Sequence, residues 1–447
     1  MWYPAAIRKN NNGSRPRICL IRHGRYPNDP RSRKQMEALA EAGYAVDVLC
    51  LKGAGQAFRE TMGPIRIYRL PIKRRRASMW RYFYEYGLSL LMFGFLVTIF
   101  HIRRRYRCIH VATMPDFLVF TAIIPKWLGA KVVLDLHEPT PELWQTKYGD
   151  RLRTLLHLQT WIEQAAIEYA DATVTVTDEL RDRIIERGSR PDKIFVVSNV
   201  CDDRIFSGSG QPAPSSGQGF HLITHGLIDE RYGHEEMVRA VAGLRDELPN
   251  LHLEVLGLGE YQSRLIDLVR ALNCEDLVAF PGFVPHDDLI RRLKAADAGV
   301  IAMRSSPYSE LIDTNKMYEY MALHKPIIIS RLQPVARKFD ESCVKLFTPG
   351  DDEDLARCIR DLFHDPERGR KLADNAYRRY EQLRWEYEKK KYVRIVNDLA
   401  THGILTERPG ERTEPRMGSL SKENISSSFD SDVLDEDLEP VGQTTAK

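Results

Sequence analysis

Three stretches of the chain repeat one order of short elements, and that order restricts the fold more than any other feature. "RPRICLIR" is an apolar strand; in "RSRKQMEALAEAGYAVDVLCL", Met36, Leu39 and Ala40 share a helical face, Gly43 stops the helix and "AVDVLCL" is the next strand. The order of strand, helix, glycine and strand recurs at "LVFTAIIPKWLGAKVVLDLHE" and "QAAIEYADATVTVTDELRDRIIERG". Strands joined through helices make βαβ units and a parallel sheet. A Gly/Ser/Pro-rich linker, "SGSGQPAPSSGQG", interrupts the pattern, which restarts at "FHLITHG". The expected fold is therefore α/β: two Rossmann-like domains, residues 15–206 and 219–385, facing each other across a cleft. A tail of residues 1–14 precedes them and the linker is 207–218. "WEYEKKKYVRIVNDLA" begins a closing helix, 386–404, and residues 405–447 are too poor in apolar groups to repay ordering, so a disordered acidic tail is expected.

With 65 basic and 62 acidic residues, the net charge of +3 argues against a generic nucleic-acid binder, which needs a large excess of Lys and Arg. The cysteines at 19, 50, 108, 201, 274, 343 and 358 lack CxxC spacing and read as reduced packing residues of a cytosolic protein. The N-terminus lacks the apolar region of a secretory signal, and no later apolar run reaches the ~18 residues that span a bilayer. A cytoplasmic location is expected. One segment, residues 73–107, breaks the βαβ order. Its apolar run from Tyr86 to Ile99 lies between Lys73, Arg74, Arg75, Arg76 and Arg103, Arg104, Arg105, Arg107. A core helix with solvated basic ends is one reading. The basic residues on both sides, with Trp80, Tyr82, Phe83 and Tyr84, favour an element on the cytoplasmic surface of an anionic membrane.

In two facing Rossmann-like domains the ligand site lies at the carboxyl ends of the strands. His137 and Glu138 follow "AKVVLDL"; His225 and Gly226 follow "FHLIT", with Arg231 shortly before Gly233; Gly257 opens "GLGEYQ"; Arg304 follows "AGVIAM". Residues 310–330, "ELIDTNKMYEYMALHKPIIIS", carry Glu310, Asn315, Lys316 and Glu319 where a helix beginning against a core favours apolar groups. Singly these residues read as a hydrogen-bonded loop histidine, a glycine turn and solvated charges. Together, glycines that allow close approach, a helix N-terminus and converging cations suit a diphosphate without a divalent cation. "HDD" at 286–288 and "GDDED" at 350–354 read as helix caps with acidic first turns. No metal site or cofactor is expected, so activity should survive a chelator. The first strand lacks GxGxxG, which disfavours an NAD dehydrogenase.

The second half resembles the nucleotide-sugar-binding domain of family-4 glycosyltransferases of the GT-B fold, which are retaining enzymes. The resemblance runs through "HGLIDERYGHEEMVRAVAGL", "LEVLGLGEYQSRL", "LVAFPGFVPHDDLIRRLKAADAGVIAM" and "TNKMYEYMALHKPIIIS". The first half resembles the family through "DPRSRKQMEALAEAGYAVDVLCL", "PDFLVFTAIIPKWLGAKVVLDLHEPTPELW" and "VVSNVCDDRIF", so the likeness covers about residues 15–400. It implies that Glu319 holds the nucleotide ribose hydroxyls, that His137 lies beside the transferred sugar, and that basic residues before Gly233 hold the diphosphate; Glu138, beside His137 at the strand end, is the second catalytic candidate. Two departures stand out: Glu310 is one position early for the family's pair of glutamates, and Leu227 and Tyr232 replace its Arg and Lys, with Arg231 displaced by one. The expected activity moves a sugar from a nucleotide diphosphate sugar to a hydroxyl of a glycan or glycolipid, with retention. Leaving-group charge would be stabilised by Arg231, Lys316 and the Gly226 amide. A nucleotide-sugar epimerase of the same architecture, detectable without an acceptor, and a scaffold that binds donor without turnover are the alternatives.

Overall fold

A computed structural model of the protein describes residues 15–72, 79–149, 153–206 and 219–406, with the side chains of 79–83 excepted. The tail 1–14, the linker 207–218, the basic residues 73–76 and the acidic stretch from 407 lie outside these residues, as do the side chains of Trp80, Tyr82 and Phe83.

The first half forms an eight-stranded sheet: β1 (Arg17–Arg22), β2 (Ala45–Leu51), β3 (Arg59–Met62), β4 (Ile65–Leu70), β5 (Cys108–Ala112), β6 (Lys131–Asp135), β7 (Ala172–Thr175) and β8 (Ile194–Val196). Its order is β3-β4-β2-β1-β5-β6-β7-β8, parallel except for the β3–β4 pair. The second half adds β9 (Phe220–His225), β10 (Leu251–Leu256), β11 (Val278–Gly282), β12 (Ala298–Ile301), β13 (Ile327–Ser330) and β14 (Lys345–Phe347), all parallel, in the order β11-β10-β9-β12-β13-β14. Both sheets reverse direction of winding beside their first strand, at β1/β5 and β9/β12, and such switch points open a crevice at the strands' carboxyl ends. The two parallel α/β domains are those expected.

The βαβ reading holds in its details. Met36, Leu39 and Ala40 are buried, and Gly43 takes φ 102° after the helix Pro30–Glu41, which starts from Asp29 accepting the Ser32 amide at 2.8 Å. In "LVFTAIIPKW", however, the first apolar residues are helical: Asp116–Ala122 is a 3-10 turn running into the helix Ile123–Trp127, and Leu118, Val119 and Ala122 bury against the sheet. The strand of that unit is β5. Asp351 caps its helix by accepting the Asp354 amide, whereas Pro285 occupies the cap before "HDD". All seven cysteines are unpaired, and six are buried.

The closing helix is Trp385–His402. It follows Pro366–Glu381 on the second domain, then returns to the first: Tyr44 Oη donates to Asn397 (3.1 Å), Glu388 accepts the Ser198 amide (2.8 Å) and Tyr392 Oη meets His110 Nδ1 at 3.0 Å. One buried apolar cluster is thereby continuous from Ile18 and Val46 through Trp385 and Val396 to Ile223 and Tyr318.

The segment that breaks the βαβ order is a 26-residue helix, Met79–Arg104. The apolar run is longer than its 14-residue core suggests, because flanking aromatic and His residues extend it: Tyr84–Arg104 is long and apolar enough to cross a membrane, with mean hydropathy 1.6. Phe93 and Val97 are nevertheless fully buried in the first domain, and Arg104 is paired with Asp47 at 2.7 Å. That packing fixes the helix along the sheet.

Candidate active site

Strand β6 ends at Asp135, which is wholly buried and clamped by Arg31: Nε lies 3.1 and 3.0 Å from its two oxygens and a terminal nitrogen 2.8 Å from one. Burial works to raise this carboxyl, but the Arg31 guanidinium and the His110 contact overcome it and hold it well below the usual carboxylate range. His110 Nε2 lies 3.6 Å from Asp135, on the side away from Tyr392. Two residues on, His137 turns Nδ1 toward the Asp135 carbonyl oxygen (3.3 Å). Burial lowers the His137 pKa, only partly opposed by Asp135, which keeps the ring neutral at neutral pH.

The facing residues come from the carboxyl ends of β9 and β12 and from the helix Asn315–Ala322. That helix starts at Thr314, whose side chain makes no cap bond and whose carbonyl accepts the Met317 amide at 3.3 Å. Lys316 in the first turn places its ammonium 4.6 Å from the centre of the Tyr232 ring. Burial pushes it down to about 8, while Glu319 acts to raise it. Glu319, one turn along, accepts from His225 Nε2 at 2.6 Å; because a carboxylate only accepts, Nε2 carries the proton. His225 Nδ1 contacts Tyr320 Oη at 3.2 Å, fixing the ring. His234 is pushed down to about 3 by burial and then by Lys316, and is neutral.

The two sides meet at Tyr308. Its hydroxyl donates to Glu138 at 2.7 Å, and the Arg231 guanidinium lies 5.0 Å from its ring centre and 5.1 Å from that of Tyr232. One run of contacts thus joins Glu138, Tyr308, Arg231, Tyr232 and Lys316, and the Glu319–His225 pair stands one helical turn beyond it. Lys316 approaches the Tyr232 ring from the helix Asn315–Ala322, so the two cations reach this loop from different elements.

The backbone here is closely stacked. Gly257, at φ 135°, is so near β9's end that a Cβ would lie 1.8 Å from the Gly226 carbonyl oxygen. The Gly226 amide, expected to face the ligand, instead donates to Leu256 at 2.8 Å, because the β9/β10 ladder continues one residue past the strand. Arg304 and Glu310 stand outside the run of contacts. Arg304 is enclosed by Glu236 (2.5 Å), Glu235 (3.2 Å) and Glu230 (3.4 Å). Glu310 accepts from Ser305 Oγ (2.6 Å) and the Gln333 amide (2.9 Å). No group of three metal-ligating side chains occurs among the described residues.

Tyr308, Arg31 and Asp135 were not singled out by the sequence reading, nor was Tyr232 as a ring partner for the cations. His225 carried a signal, its place at a strand end; Tyr308 lies in an irregular loop where no periodicity marks it.

Residues 29–200 match a glycosyl transferase 4-like domain, and residues 213–379 match the glycosyl transferases group 1 domain. A glycogen synthase of Mycobacterium tuberculosis is 24% identical over 224 residues, 49% of this chain and 51% of that protein. A sulfoquinovosyl transferase of Arabidopsis thaliana is 23% identical over 291 residues, 61% and 53% of the two chains. This chain thus spans about half the length of these curated relatives. Among solved structures, a sucrose-phosphate synthase of Thermosynechococcus elongatus superposes with TM-score 0.70 at 21% identity, covering 86% of this chain and 99% of that one. The Anabaena protein HepE in complex with UDP-glucose gives 0.63 at 15% identity, covering 87% and 98%. At these identities the likeness establishes the fold.

Proposed function

The chain belongs to the family-4 glycosyltransferases of the GT-B fold, and from that premise we propose that it transfers a sugar from a nucleotide diphosphate sugar to an acceptor hydroxyl, with retention at the anomeric carbon. The observation that carries this reading is Lys316 in the first turn of one helix with Glu319 one turn further along it, beside the crevice at the β9/β12 switch point. Lys316 and Arg231 supply positive charge for the departing diphosphate, and Glu319 accepts from two ribose hydroxyls. Neutral His137 lies at the sugar, oriented by the β6 terminus. The Lys316 ammonium beside Tyr232 speaks against a scaffold that has lost its cation. Transfer without a metal ion and an acceptor drawn from a glycan or glycolipid at the cytoplasmic face of a membrane complete the proposal.

The test is a thermal-shift panel of UDP-, GDP- and ADP-sugars, in which the true donor at 100 times its dissociation constant stabilises by about 2.7 kcal/mol. Glu319→Gln is expected to weaken that donor by about 1.5–3 kcal/mol, since an amide presents a donor where a hydroxyl needs an acceptor. Unchanged affinity would reject the assignment.

Lys316 adds a pH signature. Below about pH 8 the fold holds this group charged against desolvation; above it the ammonium is lost. A diphosphate favours the charged form, so donor affinity is expected to fall as the pH rises through 8. Lys316→Arg, charged throughout, should flatten the profile in a calorimetric titration with the nucleotide diphosphate. Equal slopes in both proteins would place the cation elsewhere.

A further inference from the structure

The helix Met79–Arg104 is amphipathic in an inverted sense. At 100° per residue, Glu85, Ser89, Phe93 and Val97 form one stripe, and all four are buried. Tyr84, Leu91, Phe95 and Ile102 form another, and they are 68%, 72%, 67% and 62% exposed. Only Arg81 and Glu85 carry charge between Met79 and Ile102, and Glu85 is inside. The surface this helix shows outward is therefore apolar.

Neighbouring elements extend the surface. The Asp116–Trp127 segment packs beside this helix, and the helix Arg153–Tyr169 packs beside that segment, all over one face of the first sheet. Trp127 is 83% exposed and Trp161 66%, with Leu128 and Leu158 exposed next to them in the chain. Of the eighteen large apolar side chains exposed among the described residues, ten lie in this layer. A patch of this extent is a contact surface rather than scattered exposure.

We propose that this layer seats the protein on an anionic bilayer, lying in the plane of the headgroups with Trp127 and Trp161 as interfacial anchors. The charges fit that occupant. Arg103, Arg105 and Arg107 are exposed at one end of the helix, and the sequence places Lys73, Arg74, Arg75 and Arg76 just ahead of the other. A second copy is the poorer match, because a twofold contact sets a patch against itself and doubles its basic rim. Phe93 and Val97 belong to the domain core, which favours a helix lying on the bilayer surface over one that spans it. The helix also has a direction. Arg104 pairs with Asp47 near the start of β2, whereas the Tyr86 ring lies 4.9 Å from His23, just past the carboxyl end of β1. The helix start is thus at the crevice, and a lipid-borne hydroxyl would arrive there. That last consequence rests on the transferase reading; the docking does not.

The test uses the full chain with vesicles of phosphatidylcholine, alone and mixed with phosphatidylglycerol, followed by co-sedimentation. The wild type is expected to pellet with the mixed vesicles and to be partly released at ~1 M salt, where the Debye length is ~3 Å and the apolar contact persists. Trp127→Ser combined with Trp161→Ser should weaken binding at least tenfold and make the remainder fully salt-labile. Replacing Arg103, Arg105 and Arg107 by Ser should remove the preference for phosphatidylglycerol. Thermal melts verify folding, and Phe95→Ser serves in place of the double variant if that one does not fold. Failure to bind any vesicle, or equal binding by the tryptophan variant, would overturn the proposal; a dimer in sedimentation velocity that the variant abolishes would assign the face to a second copy. Vesicle binding without nucleotide-sugar binding would refute the transferase reading while leaving the face intact.

Discussion

Asp135→Ala is expected to destabilise the protein by about 3–5 kcal/mol, the range for removing one partner of a buried ion pair. The loss exceeds a single contact because Arg31 would remain charged with no counter-ion. That guanidinium also donates to the Val197 carbonyl at 3.0 Å, so β6, the residue after β8 and the first helix all meet at one guanidinium. Urea denaturation of wild type and variant measures the difference. A double replacement, Arg31→Met with Asp135→Leu, should recover most of it, because well-packed apolar groups avoid desolvating two ions. The pH dependence has a definite sign. A carboxyl held well below its unfolded value contributes stability that is present above the ordinary carboxylate range and is lost as the pH falls below it. The wild type should therefore lose stability in acid more steeply than the apolar double variant. A loss under 1 kcal/mol for Asp135→Ala would mean that the pair is not dry.

Gly233→Ala should be as damaging, by a different route. Gly233 has φ 63°, and a Cβ there would lie 1.8 Å from the Ala302 carbonyl oxygen. The left-handed backbone alone costs about 1–2 kcal/mol for a residue with a side chain. The clash with backbone atoms requires the loop to lift off the end of β12, for a total of about 3 kcal/mol or more. Because Arg231 and Tyr232 ride on that loop, nucleotide affinity should fall together with the melting temperature. Gly55→Ala is the control: φ is 71° but no atom lies within 4 Å, so only the backbone cost remains. Equal melting temperatures for the two variants would show that the loop and β12 separate freely.

The parallel sheets were legible because each strand and helix carries its own periodicity, and Gly43 marks a helix end by a conformation few other residues adopt. The helix start at Asn315 was legible for a related reason: Lys316 and Glu319 interrupt an otherwise apolar pattern. The pairing of His225 with Glu319 was hidden, since it joins residues 94 apart and depends on the β9/β12 register. The surroundings of Arg304 were hidden: its position after a strand suggested a ligand cation, and the sequence did not show that Glu230, Glu235 and Glu236 gather around it from a neighbouring turn and helix. The Met79–Arg104 helix showed its apolar content in sequence, yet which stripe faces outward follows only from what the sheet covers.

The return of the closing helix has a mechanical meaning. The chain passes from first domain to second after Phe206 and comes back between Glu381 and Trp385. Tyr380 ties the two passages together, meeting Asp203 through its hydroxyl and Cys201 Sγ at 2.9 Å. The tie at Tyr380 therefore fixes the end of the first domain's chain to the last helix of the second, at the point where the closing helix begins its return. The two halves are thus held together at two separate places, by Tyr380 with Asp203 and Cys201 at one and by Tyr308 with Glu138 at the other, so losing either tie alone leaves the halves joined.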